Sequence, residues 1–193
     1  MNAIILAAGK GQRLKSLSLD IPKPMIEING KPILEHNIQL CKDAGINNIY
    51  INTHHFSDKI INYFGDGARF GVKINYNHEK EILGTAGALI PFKEKLIDEP
   101  FLVIYGDNYI NFNLLELKKH CEDKKSDISI LFHWRKNIKN SGIALTNKND
   151  QIIKFIEKPS SSNNSGDWVN AGYYFVSNKK IFNLLKYNSD FAI

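Results

Sequence analysis

The sequence predicts an α/β protein built on a doubly wound, mostly parallel sheet flanked by helices. Two observations carry this. Short apolar strand patterns alternate with helical patterns along the chain, the signature of βαβ units. A glycine-rich turn, Gly9-Lys-Gly11, also follows the first apolar run directly, where such sheets place their ligands.

Each element has a local reason. Ala3–Ala7 and Asn48–Asn52 read as buried strands. Between them Pro32–Ala44 reads as a helix: Pro32 suits a first turn, Ile33, Leu34, Ile38, Cys41 and Ala44 recur at helical spacing, and Gly45 stops it. Ser57 is the expected N-cap of a helix through Phe64, closed by Gly65-Asp-Gly67. Val72–Tyr76 follows as a strand, Thr85–Leu96 as a helix and Phe101–Tyr105 as a central strand ending at Gly106-Asp107. Asn113 caps a helix to about Lys124. The later half is richer in strands, at Ile128–Trp134, Gly142–Thr146, Ile152–Glu157 and Trp168–Val176, before a last helix from about Asn178. The Ser/Asn run from Ser160 to Ser165 reads as a surface loop, and one domain over residues 1–193 is expected.

Composition bounds the function. The 193 residues are 43% hydrophobic and 23% charged, ordinary for one globular domain. A formal net charge of +5 suits a polyanionic ligand. The basic residues form no contiguous stripe and no RNA-binding motif occurs, so nucleic acid is not an expected partner. No apolar stretch approaches bilayer-spanning length, so no membrane partner is expected. Cys41 and Cys121 have no metal-like spacing, which points to a reduced, cytoplasmic setting.

The N-terminal turn carries the chemistry. Gly9 and Gly11 let backbone N–H groups converge on an anion, and Lys10, Arg13 and Lys23 add full charges. No Gly stands four residues before a Gly-Lys-Ser/Thr, so the pattern is not a Walker loop, and Leu14 occupies the third-glycine position of the dinucleotide fingerprint. Asp20 and Asp66 sit in ordinary turn settings. His54-His55 would project to opposite faces of a strand, so a loop after the second strand explains them better than a metal site. Trp134, Trp168, Tyr173 and Tyr174 read as strand packing.

Five blocks in order resemble the sugar-1-phosphate nucleotidyltransferases. They are Leu6-Ala-Ala-Gly-Lys-Gly-Gln-Arg-Leu14 with Pro22-Lys-Pro-Met25, then Leu83-Gly-Thr-Ala-Gly-Ala-Leu89, Tyr105-Gly-Asp-Asn108, Phe155-Ile-Glu-Lys-Pro159 and Val169-Asn-Ala-Gly-Tyr-Tyr-Phe175. The resemblance covers essentially the whole chain and implies a Rossmann-like fold of the nucleotidyltransferase type. It implies transfer of a nucleoside monophosphate from an NTP to a sugar 1-phosphate, with pyrophosphate expelled.

On that resemblance Arg13 meets the departing pyrophosphate and Lys23, between Pro22 and Pro24, stabilises charge near the α-phosphate. Asp107 binds Mg²⁺. The base lies against Leu6, Ala8 and the segment Glu79 to Thr85, including Gly84, with Gly9, Lys10 and Gly11 completing the nucleotide grip. Glu79 or Glu81 would accept from an amino or ring N–H, which favours guanine. Gly142, Glu157, Lys158 and Asn170 resemble the sugar-phosphate contacts.

The Glu79-to-Gly87 block resembles mannose-1-phosphate guanylyltransferases, whereas Gly106-Asp-Asn108 resembles thymidylyltransferases. Guanylyl transfer to mannose or heptose 1-phosphate is therefore the first expectation. Thymidylyl, uridylyl or cytidylyl transfer, or a non-catalytic sugar-nucleotide-binding regulatory subunit, are the alternatives. A homo-oligomer would fit the family.

Three departures stand out. Gln12 replaces the usual threonine, and Ser141 precedes Gly142 where an aromatic is frequent. The family's second metal-binding aspartate, in a block after the last helix, has no counterpart before the sequence ends at Asp190-Phe-Ala-Ile193. A C-terminally shortened domain with impaired turnover is the expectation.

Overall fold

The computed structural model describes residues 1–9, 21–138, 141–157, 159, 166–177 and 179–185. In chain order the regular elements are β1 (Asn2–Leu6), β2 (Glu27–Ile28), β3 (Lys31–Pro32), α1 (Ile33–Asp43), β4 (Asn48–Thr53), α2 (Ser57–Phe64), β5 (Lys73–His78), α3 (Gly84–Gly87), α4 (Lys93–Leu96) and β6 (Phe101–Tyr105). They continue with α5 (Leu114–Asp123), β7 (Ile128–Arg135), β8 (Gly142–Thr146), β9 (Ile152–Glu157), β10 (Asp167–Val176) and α6 (Ile181–Leu184). These form two compact units, Met1–Ser129 with Tyr174–Ile193, and Ile130–Tyr173.

The first unit is the parallel, doubly wound sheet that the alternating pattern predicted. Its strands run in the order β5-β4-β1-β6, with β10 as the other neighbour of β6. β1 pairs in parallel with both β4 and β6, and β4 with β5. From β1 the chain steps outward to β4 and β5, then returns to place β6 on the opposite side of β1. That reversal is a topological switch point. The registers align Asn77, Asn52, Leu6 and Tyr105 in one row at the carboxyl ends of four strands. All four following turns therefore open on the same edge.

The strands are apolar because this sheet is buried on both faces. Ala3, Ile4, Ile5, Ile49, Ile51, Leu102, Val103 and Ile104 are fully buried. Helix α1 buries Ile33, Leu34, Asn37, Ile38 and Cys41, a single stripe at helical spacing. Its C-terminus ends as the sequence predicts: Gly45 has φ +73°, its N–H donates to the Lys42 carbonyl, and the Ile46 N–H donates to that of Cys41. This is a Schellman closure with a buried Ile46 packed beyond it. Asn113 caps α5 by accepting from the Leu115 N–H at 3.0 Å, also as expected.

Two expectations about elements are corrected, and one element is new. The helix expected over Thr85–Leu96 is broken into α3, a 3₁₀ turn at Ile90–Phe92 and α4. Pro91 lies inside the 3₁₀ turn, where it removes a backbone donor that a continuous helix needs. Ser57 is the first residue of α2 and not its cap, because Phe56 takes the N-cap position in a left-handed conformation (φ 56°, ψ 35°). The β2–β3 hairpin was not anticipated. Its turn is Asn29-Gly30 with φ values of 53° and 74°, both positive as a type I′ hairpin requires.

The second unit is antiparallel. β8 pairs with β9 from Gly142↔Glu157 to Thr146↔Ile152, and with β10 at Val169↔Ile143. Ile138, Ile143 and Val169 form a buried cluster in it, with Ile156 packed against them. Trp134 and Trp168, expected as strand packing, are instead 54% and 57% exposed, while Tyr173 and Tyr174 are fully buried.

Candidate active site

A cleft of about 210 Å³ opens at the carboxyl edge of the first unit. It is lined by the turn after β1 (Leu6, Ala7, Ala8, Gly9), by Lys23 and Pro24, by Asn52, by Glu79, Ile82, Gly84 and Thr85, and by Tyr105 and Asp107. Eight of the residues expected at the nucleotide site thus share one cavity at the switch point: Leu6, Ala8, Gly9, Lys23, Glu79, Gly84, Thr85 and Asp107.

The charged groups of the cleft are held by two short segments. Lys23 starts a 3₁₀ turn through Met25, with Pro22 extended before it (φ −68°, ψ 147°) and Pro24 buried inside it. The Met25 N–H donates to the Pro22 carbonyl and that of Ile26 to Lys23. The two prolines fix the local backbone, which aims the lysine stem. Lys23 Nζ lies 3.6 Å from Asp107 Oδ2, with side-chain exposures of 21% and 38%. The cation and the carboxylate named from separate motifs therefore form one ion pair in the cleft.

Asp107 sits in a tight turn that the sequence alone did not fully explain. The Gly106 N–H donates to the Leu6 carbonyl at 2.9 Å, and a Cβ at position 106 would stand 2.9 Å from that oxygen. Only glycine allows this approach of β6 to β1. Asn37, fully buried on α1, donates to the carbonyls of Gly106 (3.4 Å) and Asn108 (3.0 Å), one on each side of Asp107. Asn37 was not picked out from sequence. A polar residue inside the apolar stripe of α1 was the available signal.

The opposite wall carries a buried polar chain. The Ala7 N–H donates to Asn52 Oδ1 (2.8 Å), Asn52 Nδ2 donates to Glu79 Oε1 (2.7 Å), and the Leu83 N–H donates to Glu79 Oε2 (3.0 Å). Asn52 and Glu79 are each 3% exposed. Next to it, the Tyr174 hydroxyl donates to that of Tyr105 at 3.1 Å, and the Tyr105 and Thr85 hydroxyls lie 3.4 Å apart. Asn52 went unnoticed in the sequence, where it looks like an ordinary strand residue, and Tyr105 was noted only as part of its block.

Two glycines behave differently. Gly84 has φ +72°, a conformation that requires glycine. Gly9 has an ordinary φ, and a Cβ there would meet nothing within 4 Å. Within the described protein, then, no neighbouring atom demands glycine at position 9. His54 lies in the loop after β4, as expected, with Nδ1 2.8 Å from the Glu79 carbonyl oxygen. Asp66 accepts from the Ala68 N–H in a turn. Among the described residues no group of three or more His, Cys, Asp or Glu is placed to hold a metal ion.

The second unit brings Gly142 and Glu157 together as register partners. A Cβ on Gly142 would stand 2.6 Å from Phe155 Cζ and 2.9 Å from Glu157 Oε2, so glycine here leaves room beside the carboxylate. Asn170 Oδ1 accepts from the Gly172 N–H at 2.8 Å. Lys10, Gly11, Arg13 and Lys158 lie outside the described residues, as do Asp20 and Asp190.

A switch-point cleft with a cation–carboxylate pair on one wall and a positive-φ glycine on the other places this chain among the doubly wound α/β proteins, whose ligands bind at that edge. The family follows from comparison. A model described as nucleotidyl transferase matches residues 2–191, and the chain belongs to that family. It is 35% identical over 187 residues to a UTP–glucose-1-phosphate uridylyltransferase of Synechocystis sp., covering 90% of this chain and 48% of that protein. It is 32% identical to a D-glycero-alpha-D-manno-heptose 1-phosphate guanylyltransferase of Aneurinibacillus thermoaerophilus, over 94% of this chain and 76% of that one. The crystal structure of HddC from Yersinia pseudotuberculosis complexed with GMP-PN superposes with a TM-score of 0.80 at 30% identity, covering 98% and 80% of the two chains. The chain spans about half the length of the Synechocystis relative. No helix among the described residues is long and apolar enough to cross a membrane.

Proposed function

We propose that this chain is a sugar-1-phosphate nucleotidyltransferase domain. It joins the phosphate oxygen of a sugar 1-phosphate to the α-phosphorus of a nucleoside triphosphate, while the bond to the β-phosphate breaks and pyrophosphate leaves with the electron pair. One observation carries the proposal: the Lys23–Asp107 pair stands in a cleft at the switch point, with Gly84 and Thr85 on its far side. The sugar phosphate is already anionic at neutral pH and needs no general base, so catalysis reduces to alignment and charge neutralisation. Lys23 neutralises charge near the α-phosphate. Arg13, Lys10 and Gly11 hold the remaining phosphates, and their fork, ammonium and amide types suit that task. Leu6, Ala8 and Gly84 contact the base. Glu157 takes sugar hydroxyls and Lys158 the attacking phosphate, with Gly142 and Asn170 beside them.

A single exposed carboxylate fits Mg²⁺, which takes one or two protein carboxylates and completes its shell with phosphate oxygens and water. Asp107 would hold the ion, which would supply positive charge to offset the negative charge of the phosphates. Guanine is the first base in this proposal, since the Glu79-to-Gly87 block and the heptose-phosphate relative agree; thymine, uracil and cytosine follow. An intracellular homo-oligomer that binds no nucleic acid completes the proposal. The buried, unpaired Cys41 and Cys121 support the reducing compartment.

The test is pyrophosphate release with Mg²⁺ across four nucleotides and a panel of sugar 1-phosphates. One nucleotide–sugar pair should turn over, and Asp107→Asn should lower that turnover at least about a hundredfold while the fold is kept. Unchanged turnover in Asp107→Asn removes the residue from the site. Silence with nucleotide-sugar binding retained identifies a non-catalytic binding protein on the same fold.

A further inference from the structure

Glu79 entered as a candidate reader of the base, but the structure gives both of its carboxylate oxygens to the protein. Oε1 accepts from Asn52 and Oε2 from the Leu83 N–H. Through Asn52 the chain continues to the Ala7 N–H, at the start of the turn that leads into Gly9. The Glu79 backbone is also fixed: its N–H donates to the Thr53 carbonyl at 2.7 Å. One buried side chain therefore ties together the exit of β1, the end of β4 and the segment Lys80–Leu83 that delivers Gly84 to the cleft. We propose that Glu79 is a positioning residue for nucleotide binding, clamping the Leu83–Gly84 backbone at a fixed distance from the β1 turn instead of contacting the base. This rests on the proposal that the cleft holds a nucleotide.

The polarity of the chain makes the inference sharp. Both ends of the bracket are backbone N–H donors, at Ala7 and Leu83. Two side chains bridge them, so the outer atoms must both be acceptors and the inner contact must join a donor to an acceptor. One amide and one carboxylate meet that condition. Two amides cannot, whichever way either is flipped, because satisfying both ends leaves two NH₂ groups facing each other inside. Glu79→Gln keeps the shape but leaves one buried donor–donor contact, a penalty comparable to an unsatisfied buried group. Combining Glu79→Gln with Asn52→Asp restores every bond with the carboxylate on the other side. The carboxylate placed at position 52 would accept from Ala7 and from the amide placed at position 79, whose oxygen would accept from Leu83.

The experiment has two readouts on the native protein, Glu79→Gln and the double variant. The first is the Leu83 amide exchange rate in ligand-free protein, by NMR. The second is affinity for the nucleotide, among GTP, UTP, dTTP and CTP, that binds the native protein most tightly, by calorimetry. The expected result is faster Leu83 exchange and about tenfold weaker binding in Glu79→Gln, with both restored in the double variant. Unchanged Leu83 exchange overturns the bracket. Faster exchange with unchanged affinity overturns the positioning role. Restored exchange without restored affinity also overturns it, since Glu79 itself would then be the contact. If Glu79→Gln does not fold, the double variant decides alone: native-like affinity supports the inference and lost affinity overturns it. If none of the four nucleotides binds native protein, the nucleotide proposal falls with the inference; in every other failure the native protein still binds.

Discussion

The cleft wall in the first unit and the β8–β9 ribbon in the second solve the positioning problem by different means. Around the cleft, strands β1, β4 and β6 are buried on both faces, and the polar side chains among them are used as ties. Asn37 fixes the carbonyls on either side of Asp107, and Asn52 and Glu79 link three segments. In the second unit the buried cluster of Ile138, Ile143 and Val169 lies among strands that leave Trp134, Leu145, Ile152, Ile153 and Trp168 exposed. A large core fixes backbone to the precision that buried hydrogen bonds demand, and those bonds in turn fix the site. Among the described residues β9 exposes most of its side chains, so the local stability of the ribbon should be lower.

Paired truncations sharpen that contrast most strongly. Ile104 in β6 is fully buried, so Ile104→Ala should cost about 2–5 kcal/mol in urea unfolding. Ile153 in β9 is 66% exposed, and Ile153→Ala should stay within about 0.5 kcal/mol. Comparable losses at the two sites would mean that the apolar side of β9 is covered in solution.

Much of the first unit was legible because its physics is periodic. Buried parallel strands show as unbroken apolar runs, α1 shows as a stripe, and Gly45 and Asn113 carry their own stereochemical reasons. Lys23, Gly84, Thr85 and Asp107 were legible through their motifs, and the switch-point topology brings them together. What the sequence hid was pairwise. Asn52 matters through Ala7 and Glu79, and Asn37 through the turn at Asp107; partners 27 to 71 positions apart leave no local pattern. Glu79 was noticed, but its hydrogen bonds give it a different task from the one its residue type suggested. Pro91 was visible in the helix expected over Thr85–Leu96, and its known cost to a helix interior was underweighted.

The two glycines of the cleft form a smaller-scale comparison. Gly84 sits at φ +72°, so Gly84→Ala should destabilise by about 1–2 kcal/mol, read as a lower thermal midpoint. Gly9→Ala meets open space at an ordinary φ, and its midpoint should move by no more than about 0.5 kcal/mol equivalent. If Gly9→Ala instead abolishes nucleotide binding without a stability change, the space beside Gly9 belongs to the ligand. Equal destabilisation at both positions would break the distinction drawn from their backbones.

The smallest expected effect tests the rule that polar groups in this wall are kept because they bond. Asn52 and Thr53 are consecutive at the end of β4, and both are buried. Asn52 is committed at both ends of its amide, whereas Thr53 Oγ1 has no hydrogen-bond partner among the described residues. Its backbone carbonyl does the structural work by accepting from Glu79. Burying a hydroxyl without a partner costs free energy, and valine has the same branched shape without the polar atom. Thr53→Val should therefore be neutral or stabilise by up to about 1 kcal/mol, seen as a higher urea midpoint at unchanged slope. Asn52→Leu, close in size, should destabilise by about 2 kcal/mol, because it strands one Glu79 oxygen and leaves the Ala7 N–H only its longer 3.2 Å bond to the Asn52 backbone carbonyl. A loss of more than about 1 kcal/mol in Thr53→Val would place a partner on its hydroxyl. The end of β4 would then carry two polar ties, and the bracket through Glu79 would be one part of a larger network.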